Sequence, residues 1–200
     1  MFTGLIEEVG TVEKVQRSRG SLLIFVNGKK AARSLAKNDS IAIDGVCLTV
    51  LRRRRNVFCV QSVEQTLKKT ALGRIAEGSR VNLERPLRPT GFLGGHFVLG
   101  HVDGVGVIRD IRVLPGSWIF SIQIPPGFRS LLVPAGSIAV NGVSLTIADM
   151  KGSAFAVSII PHTWRNTTFR FVRRGDRVNL EFDVLGKYIQ QLLKVRRGRA

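Results

Sequence analysis

Two antiparallel β-barrels in tandem are what this sequence predicts, and three observations carry that expectation. The segment SIAIDGVCLTV at 40–50 returns as SIAVNGVSLTI at 137–147, and RVNLE at 80–84 returns at 177–181, so the chain states one module twice at a spacing of 97 residues (137 − 40). Short β-branched runs are separated by Gly, Asn, Asp and Arg clusters, which is the pattern of strands and turns. The 200 residues, 44% of them apolar, suffice for two small domains that each bury a modest core.

Strands are expected at Leu22 to Val26, Ser40 to Leu51, Val57 to Val63 and Arg80 to Leu83, with the same pattern in the second half. Val57, Phe58, Val60 and Thr66 recur as Ala154, Phe155, Val157 and Thr163. Near the start, Gly4 and Gly10 match Gly100 and Gly106 with a one-residue slip in spacing. A repeat this long means two domains rather than a solenoid, whose units run about 20–50 residues. The stretch from Pro86 to Gly95, PLRPTGFLGG, reads as the connector. The barrels then span 1–96 and 97–184, followed by a helix and basic tail at 185–200. Short helices are expected near Lys29 to Ala36 and Gln65 to Leu72. A third, Leu185 to Leu193, carries Tyr188, Ile189, Leu192 and Leu193 on one face and lies outside the repeat, which suits an oligomerisation element.

The net charge of +17 invites a nucleic-acid reading. Its carriers sit in turns and at the end: Arg52 to Arg55, Arg173 and Arg174, then Lys194, Arg196, Arg197 and Arg199. No aromatic residues interleave with them as a stacking platform requires, which favours a solvated surface over polyanion binding. No apolar run is long enough to cross a membrane, and Glu7 and Glu8 follow the start closely, so a soluble cytoplasmic protein is expected. Two cysteines are present, Cys47 and Cys59. A turn at Arg52 to Asn56 would set Cys59 nearer Thr49 than Cys47, so no disulfide is expected and both thiols are read as reduced.

Strand alternation sorts the repeated motif. Val46, Leu48 and Val50 fall on one face and Cys47 and Thr49 on the other; Ser144 and Thr146 oppose Val143, Leu145 and Ile147 in the same way. An ordinary amphipathic strand with a wet polar face would look like this. Its repetition in both copies supports a pocket-lining role, and the copies differ at Asp44/Asn141 and Cys47/Ser144, where chemistry could differ.

The opening MFTGLIEE, the CLTV segment, GGHFVLGHVDG at 94–104, NGVSLTI, SIIPHT at 158–163 and DVLGKY at 183–188 resemble the riboflavin synthase alpha-chain family over essentially the full length. The resemblance implies an all-β fold of two homologous six-stranded antiparallel Greek-key barrels that bind lumazine, plus a C-terminal helix that builds a homotrimer. It implies a transferase that dismutates 6,7-dimethyl-8-ribityllumazine with no cofactor and no metal. It also implies an active site between the first barrel of one subunit and the second barrel of its neighbour. Association with lumazine synthase stays open.

Carried over onto this chain, the resemblance implies a first pocket of Gly4, Leu5, Ile6, Ser40, Asp44, Cys47, Leu48, Thr49, Gln61, Ser62, Val63, Glu64, Gln65 and Thr66. It implies a second pocket of Gly100, His101, Val102, Ala135, Asn141, Ser144, Leu145, Thr146, Ser158, Ile159, Ile160, Pro161, His162 and Thr163. Cys47 is the candidate nucleophile or its stabiliser and His101 the candidate proton shuttle, with Ser144, Asp183, Thr49 and Thr146 completing the catalytic set. Unlike many members, this chain has Asp44 and Asn141 where the family pattern has Asn and Asp, and Ala135 where a Lys is common. His96, His101 and His162 have no Cys or carboxylate at ligand spacing, so no zinc site is expected. The rival readings are a non-catalytic lumazine- or flavin-binding barrel, which needs one pocket and no nucleophile, and an RNA-binding barrel, which predicts salt-sensitive polyanion binding.

Overall fold

The computed structural model of the chain describes residues 1–197. Residues 198–200, with Arg199 of the expected basic tail, and the side chains of 196 and 197 lie outside that description. Twelve strands make two closed barrels. The first holds β1 (Glu8–Ser18), β2 (Ser21–Asn27), β3 (Ser40–Ile43), β4 (Val46–Arg54), β5 (Val57–Val63) and β6 (Arg80–Glu84). The second holds β7 (Gly104–Leu114), β8 (Ser117–Gln123), β9 (Ser137–Val140), β10 (Val143–Lys151), β11 (Ala154–Ile159) and β12 (Arg177–Phe182). Both close in the order first, second, fifth, fourth, third, sixth. Three strands joined by hairpins with the second strand returning beside the fifth make a Greek key.

Four helices punctuate the strands: α1 (Ala31–Ser34), α2 (Glu64–Lys69), α3 (Pro161–Asn166) and α4 (Val184–Arg197). The helix expected from Lys29 is cut to α1. The one expected at Gln65 to Leu72 breaks at Thr70, whose hydroxyl accepts from the Leu72 N–H and starts a 3₁₀ turn at Ala71–Arg74. The helix α3, on SIIPHT, has no counterpart among the sequence expectations; Pro161 starts it, where a missing N–H costs nothing.

Two strand expectations are corrected. The run Ser40 to Leu51 is two strands, because Asp44 (φ 45°) and Gly45 (φ 76°) form a hairpin turn with positive φ at both central residues. Asn141 (φ 46°) and Gly142 (φ 77°) repeat it. The expected turn at Arg52 to Asn56 is shorter, since β4 runs on to Arg54. A bulge between Val50 and Arg52 shifts the register, so Cys59 faces Arg52 and not Thr49. Both cysteines are free.

The barrel interiors are filled. Ile24, Val26, Phe58, Val60 and Leu83 pack in the first, and Phe120, Ile122, Phe155, Val157 and Phe169 in the second. Each such side chain contributes about 1.5–3 kcal/mol by leaving water. No ligand enters a lumen packed in this way, so any binding surface lies on the barrels' outer faces.

A seam with approximate two-fold symmetry joins the barrels. Phe2 and Val98 exchange backbone hydrogen bonds at 2.7 and 3.2 Å, and with Ala42 and Ala139 they form a small buried cluster against Cys47. Gly45 and Gly142 touch so closely that a Cβ on Gly45 would stand 2.6 Å from the Gly142 nitrogen. The repeated Asn of RVNLE clasps the opposite barrel: Asn82 Nδ2 donates to the Asn141 carbonyl (2.9 Å) and Asn179 Nδ2 to the Asp44 carbonyl (2.8 Å). Among the described residues no helix is long and apolar enough to cross a membrane.

Candidate active site

Residues 1–7 and 96–103 precede the first strands of their barrels, and each segment crosses the seam. The Cys47 N–H donates to the Gly100 carbonyl at 2.9 Å, and the Ser144 N–H to the Gly4 carbonyl at 2.8 Å. Gly4 and Gly100 both have φ of 78°, and a Cβ on either would come within 2.6 Å of the Ser144 or Cys47 Cβ. Ile6 packs on the core of the second barrel and Val102 in that of the first.

This corrects the expected grouping of the pockets. Gly4 and Ile6 lie with Ser144 and the second barrel rather than Cys47, Leu5 lines a separate crevice with Glu7, Arg85 and Leu87, and Gly100, His101 and Val102 lie with Cys47 rather than Ser144. Each leading segment serves the other barrel because the seam pairs Phe2 with Val98 and points the two segments in opposite directions.

The first pocket is a cleft of about 190 Å³ lined by Val46, Cys47, Gln65, Thr66, Lys69, Thr70, Gly100, His101 and Val102. Half-buried Cys47 and exposed His101 thus share one cavity wall. A second crevice adjoins it through Lys69 and His101 and reaches Lys187 and Tyr188 on α4. Thr49 is exposed on the same face of β4 as Cys47 and pairs with half-buried Ser40. Gln61, Val63 and Glu64 are exposed, Glu64 pairing with Lys68 at 2.6 Å.

The second set of expected site residues centres on Ser144, whose Oγ lies 2.7 Å from His96 Nδ1. His96 is buried, and its Nε2 has no partner. Burial pulls its pKa below the usual imidazole value, while the Asp183 charge pushes the other way. Nδ1 of a neutral ring is free to accept the Ser144 hydroxyl proton when Nε2 carries the hydrogen. Asp183 also accepts the Leu185 N–H at 3.0 Å, at the start of α4. The reading of the residues considered His96 only for zinc, and its pairing with Ser144 depends on the crossing segments. Thr146 and Ser158 are exposed beside Ser144, with Ile160, Pro161, His162 and Thr163 at the start of α3.

Several expected site side chains lie elsewhere. Leu48, Ser62, Leu145 and Ile159 are buried on the inward faces of their strands and can offer a ligand only backbone groups. Ala135 is an exposed turn residue (φ 59°) whose N–H donates to Ile147 at the barrel end. Asp44 and Asn141 are the hairpin-turn residues at the seam, where their Oδ1 atoms accept the Asn82 and Asn179 backbone N–H at 2.8 and 2.7 Å. Burial pushes the Asp44 carboxyl up to about 7, partly offset by the Asn82 hydrogen bond.

Two carboxylates not expected at the site hold the crossing segments. Glu84 accepts the N–H of Thr3 (2.6 Å) and Gly4 (3.0 Å) and the Thr3 hydroxyl (2.8 Å). Glu181 accepts the N–H of Leu99 (2.7 Å) and Gly100 (2.9 Å). Their place in the repeated RVNLE was the available signal. Among the described residues no three His, Cys, Asp or Glu side chains gather as a metal site would need.

The lumazine binding domain model matches residues 3–86 and 99–183, one match per barrel. The chain is 40% identical over 193 residues to the riboflavin synthase of Actinobacillus pleuropneumoniae, covering 96% of this chain and 90% of that protein. It is 39% identical to the riboflavin synthase of Bacillus subtilis (strain 168), with the same coverage. Crystal structures of LumP complexed with 6,7-dimethyl-8-(1′-D-ribityl) lumazine and with riboflavin superpose with TM-scores of 0.83 and 0.84. At 21% and 23% identity, over 91% of this chain and 99% of those chains, they share its fold. Two lumazine binding domains and an almost full-length match to these enzymes place the chain in the riboflavin synthase family.

Proposed function

We propose that the protein is a riboflavin synthase: two molecules of 6,7-dimethyl-8-ribityllumazine exchange a four-carbon unit, giving one riboflavin and one 5-amino-6-ribitylamino-pyrimidinedione. The observation that carries this reading is a pair of homologous but chemically unequal side-chain sets in one chain, Cys47 with His101 along one cleft and Ser144 bonded to His96 in the other barrel. A dismutation asks for this, since one substrate must bind twice and be treated in two ways.

In the first pocket the Cys47 thiol is the nucleophile or its stabiliser for addition at the ring carbon beside the activated methyl, and His101 moves the proton. In the second, His96 polarises the Ser144 hydroxyl through Nδ1, and the Asp183 charge favours the imidazolium that forms when the ring takes the proton. Backbone groups of β4 and β10 suit the donor and acceptor edge of the pteridine, and Thr49, Thr66, Thr146 and Thr163 suit the ribityl hydroxyls.

Cys47 and Ser144 lie on the outer faces of their strands, and α4 exposes Leu185, Tyr188 (69%), Ile189 (58%), Leu192 (68%) and Leu193. These features support a homotrimer in which the first barrel of one subunit meets the second barrel of its neighbour. The test mixes purified protein with the lumazine alone and follows absorbance. One riboflavin formed per two lumazines consumed supports the synthase. Binding without turnover identifies a carrier of lumazine or flavin instead.

A further inference from the structure

We infer that Glu84 and Glu181 are positioning residues, each acting across the seam on the pocket of the opposite barrel. The inference rests on Cys47 and Ser144 marking the two ligand sites of the proposed synthase. Glu84 ends β6 of the first barrel, yet its carboxylate bonds are to Thr3 and Gly4, the residues laid against Ser144 in the second. Glu181 lies in β12 of the second barrel, and its bonds are to Leu99 and Gly100, laid against Cys47 in the first. Both carboxylates are about 3% exposed. A buried carboxylate is tolerated only where donors converge on it, and here the converging donors are the backbone of the crossing segment.

The bonded partners lie outside the twelve strands, so losing the carboxylate leaves the ladder and core of its own barrel in place. What moves is Gly4, laid against Ser144, or Gly100 with His101, which line the Cys47 cleft. Glutamine keeps the shape but turns one acceptor into a donor that faces a backbone N–H, leaving that N–H unpaired.

Cys47 provides a readout that requires no lumazine, because Gly100 lies against it and Cys59 is buried as a slow internal control. Glu84→Gln and Glu181→Gln in the full-length chain are compared for the rate at which a thiol-specific aromatic disulfide modifies Cys47. Glu181→Gln is expected to speed modification roughly tenfold, the loss of one charge-assisted hydrogen bond, while Glu84→Gln leaves it unchanged. With Cys47→Ser and Ser144→Cys combined as the reporter, the pattern reverses. Equal effects of the two glutamines, or none, overturn the inference. If either glutamine variant fails to fold, Glu84→Asp and Glu181→Asp are read by the same rates. An inactive wild type with the crossed pattern intact would refute the synthase and spare the clamps; an active one without the pattern does the reverse.

Discussion

The Ser144 N–H donates to the carbonyl of Gly4 at 2.8 Å, although the two residues belong to different barrels. Cys47 and Gly100 make the matching bond at 2.9 Å, so the surroundings of Cys47 and of Ser144 are each built by both domains.

Gly100→Ala tests that bond. With φ at 78° and a new Cβ 2.6 Å from the Cys47 Cβ, the crossing segment must shift. A stability loss of about 1–3 kcal/mol is expected on urea unfolding, with His101 displaced from the cleft and a raised KM for lumazine. An unchanged KM would show that the close approach has no bearing on the pocket.

Cys47→Ser gives the first pocket the hydroxyl that the second has at Ser144. Turnover is expected to fall by about tenfold or more, a barrier rise of about 1.4 kcal/mol or more, while lumazine affinity by fluorescence titration stays nearly constant. Undiminished turnover would remove the thiol from the mechanism.

Asp44→Asn should flatten the pH dependence of stability. A carboxyl whose pKa rises from 3.8 unfolded to about 7 folded holds its proton more tightly in the native state. Its contribution is complete below pH 3.8 and is lost as pH climbs through 7. Asparagine already occupies the equivalent turn at Asn141 with the same φ and the same bond. The variant should therefore melt at least ~2 °C above wild type at pH 8, about 1 kcal/mol for a chain of this size, and show no advantage at pH 4. A gain at both pH values would place the cause outside ionisation.

Ile189→Glu with Leu192→Glu charges the exposed face of α4. For the proposed homotrimer, light scattering should report a fall from trimer to monomer mass with barrel circular dichroism retained, and activity should fall with the mass. A trimer that survives both carboxylates would place the contact elsewhere.

Much of the architecture was legible because it is local or repeated. Strand alternation placed Cys47 opposite Val46 and Leu48, and the 97-residue echo placed the second barrel. The missed features depend on contacts between residues distant in the chain. Nothing in the spacing of Gly4 and Cys47 tells that Gly4 crosses to Ser144, and His96 looks idle until that crossing brings Ser144 within 2.7 Å. In sequence, the difference of Asp and Asn at 44 and 141 reads as a place where the chemistry of the two copies could differ. The positive φ of both residues shows the need they share, a polar side chain that tolerates a tight turn and bonds the next strand. The bulge after Val50 moved Cys59 by changing the register, which no periodicity records.

The crossed segments also make the boundaries of folding and of function different. Cutting the chain in the connector at residues 86–95 would keep the strands of each half together and yet take from each barrel the segment laid against its Cys47 or Ser144. The half with Cys47 would lose Gly100 and His101, and the half with Ser144 would lose Gly4 and Ile6. Duplicated in sequence and nearly symmetric in shape, the two repeats are mutual prosthetics, and grafting either one alone into another protein would transplant a stable shell without its working edge.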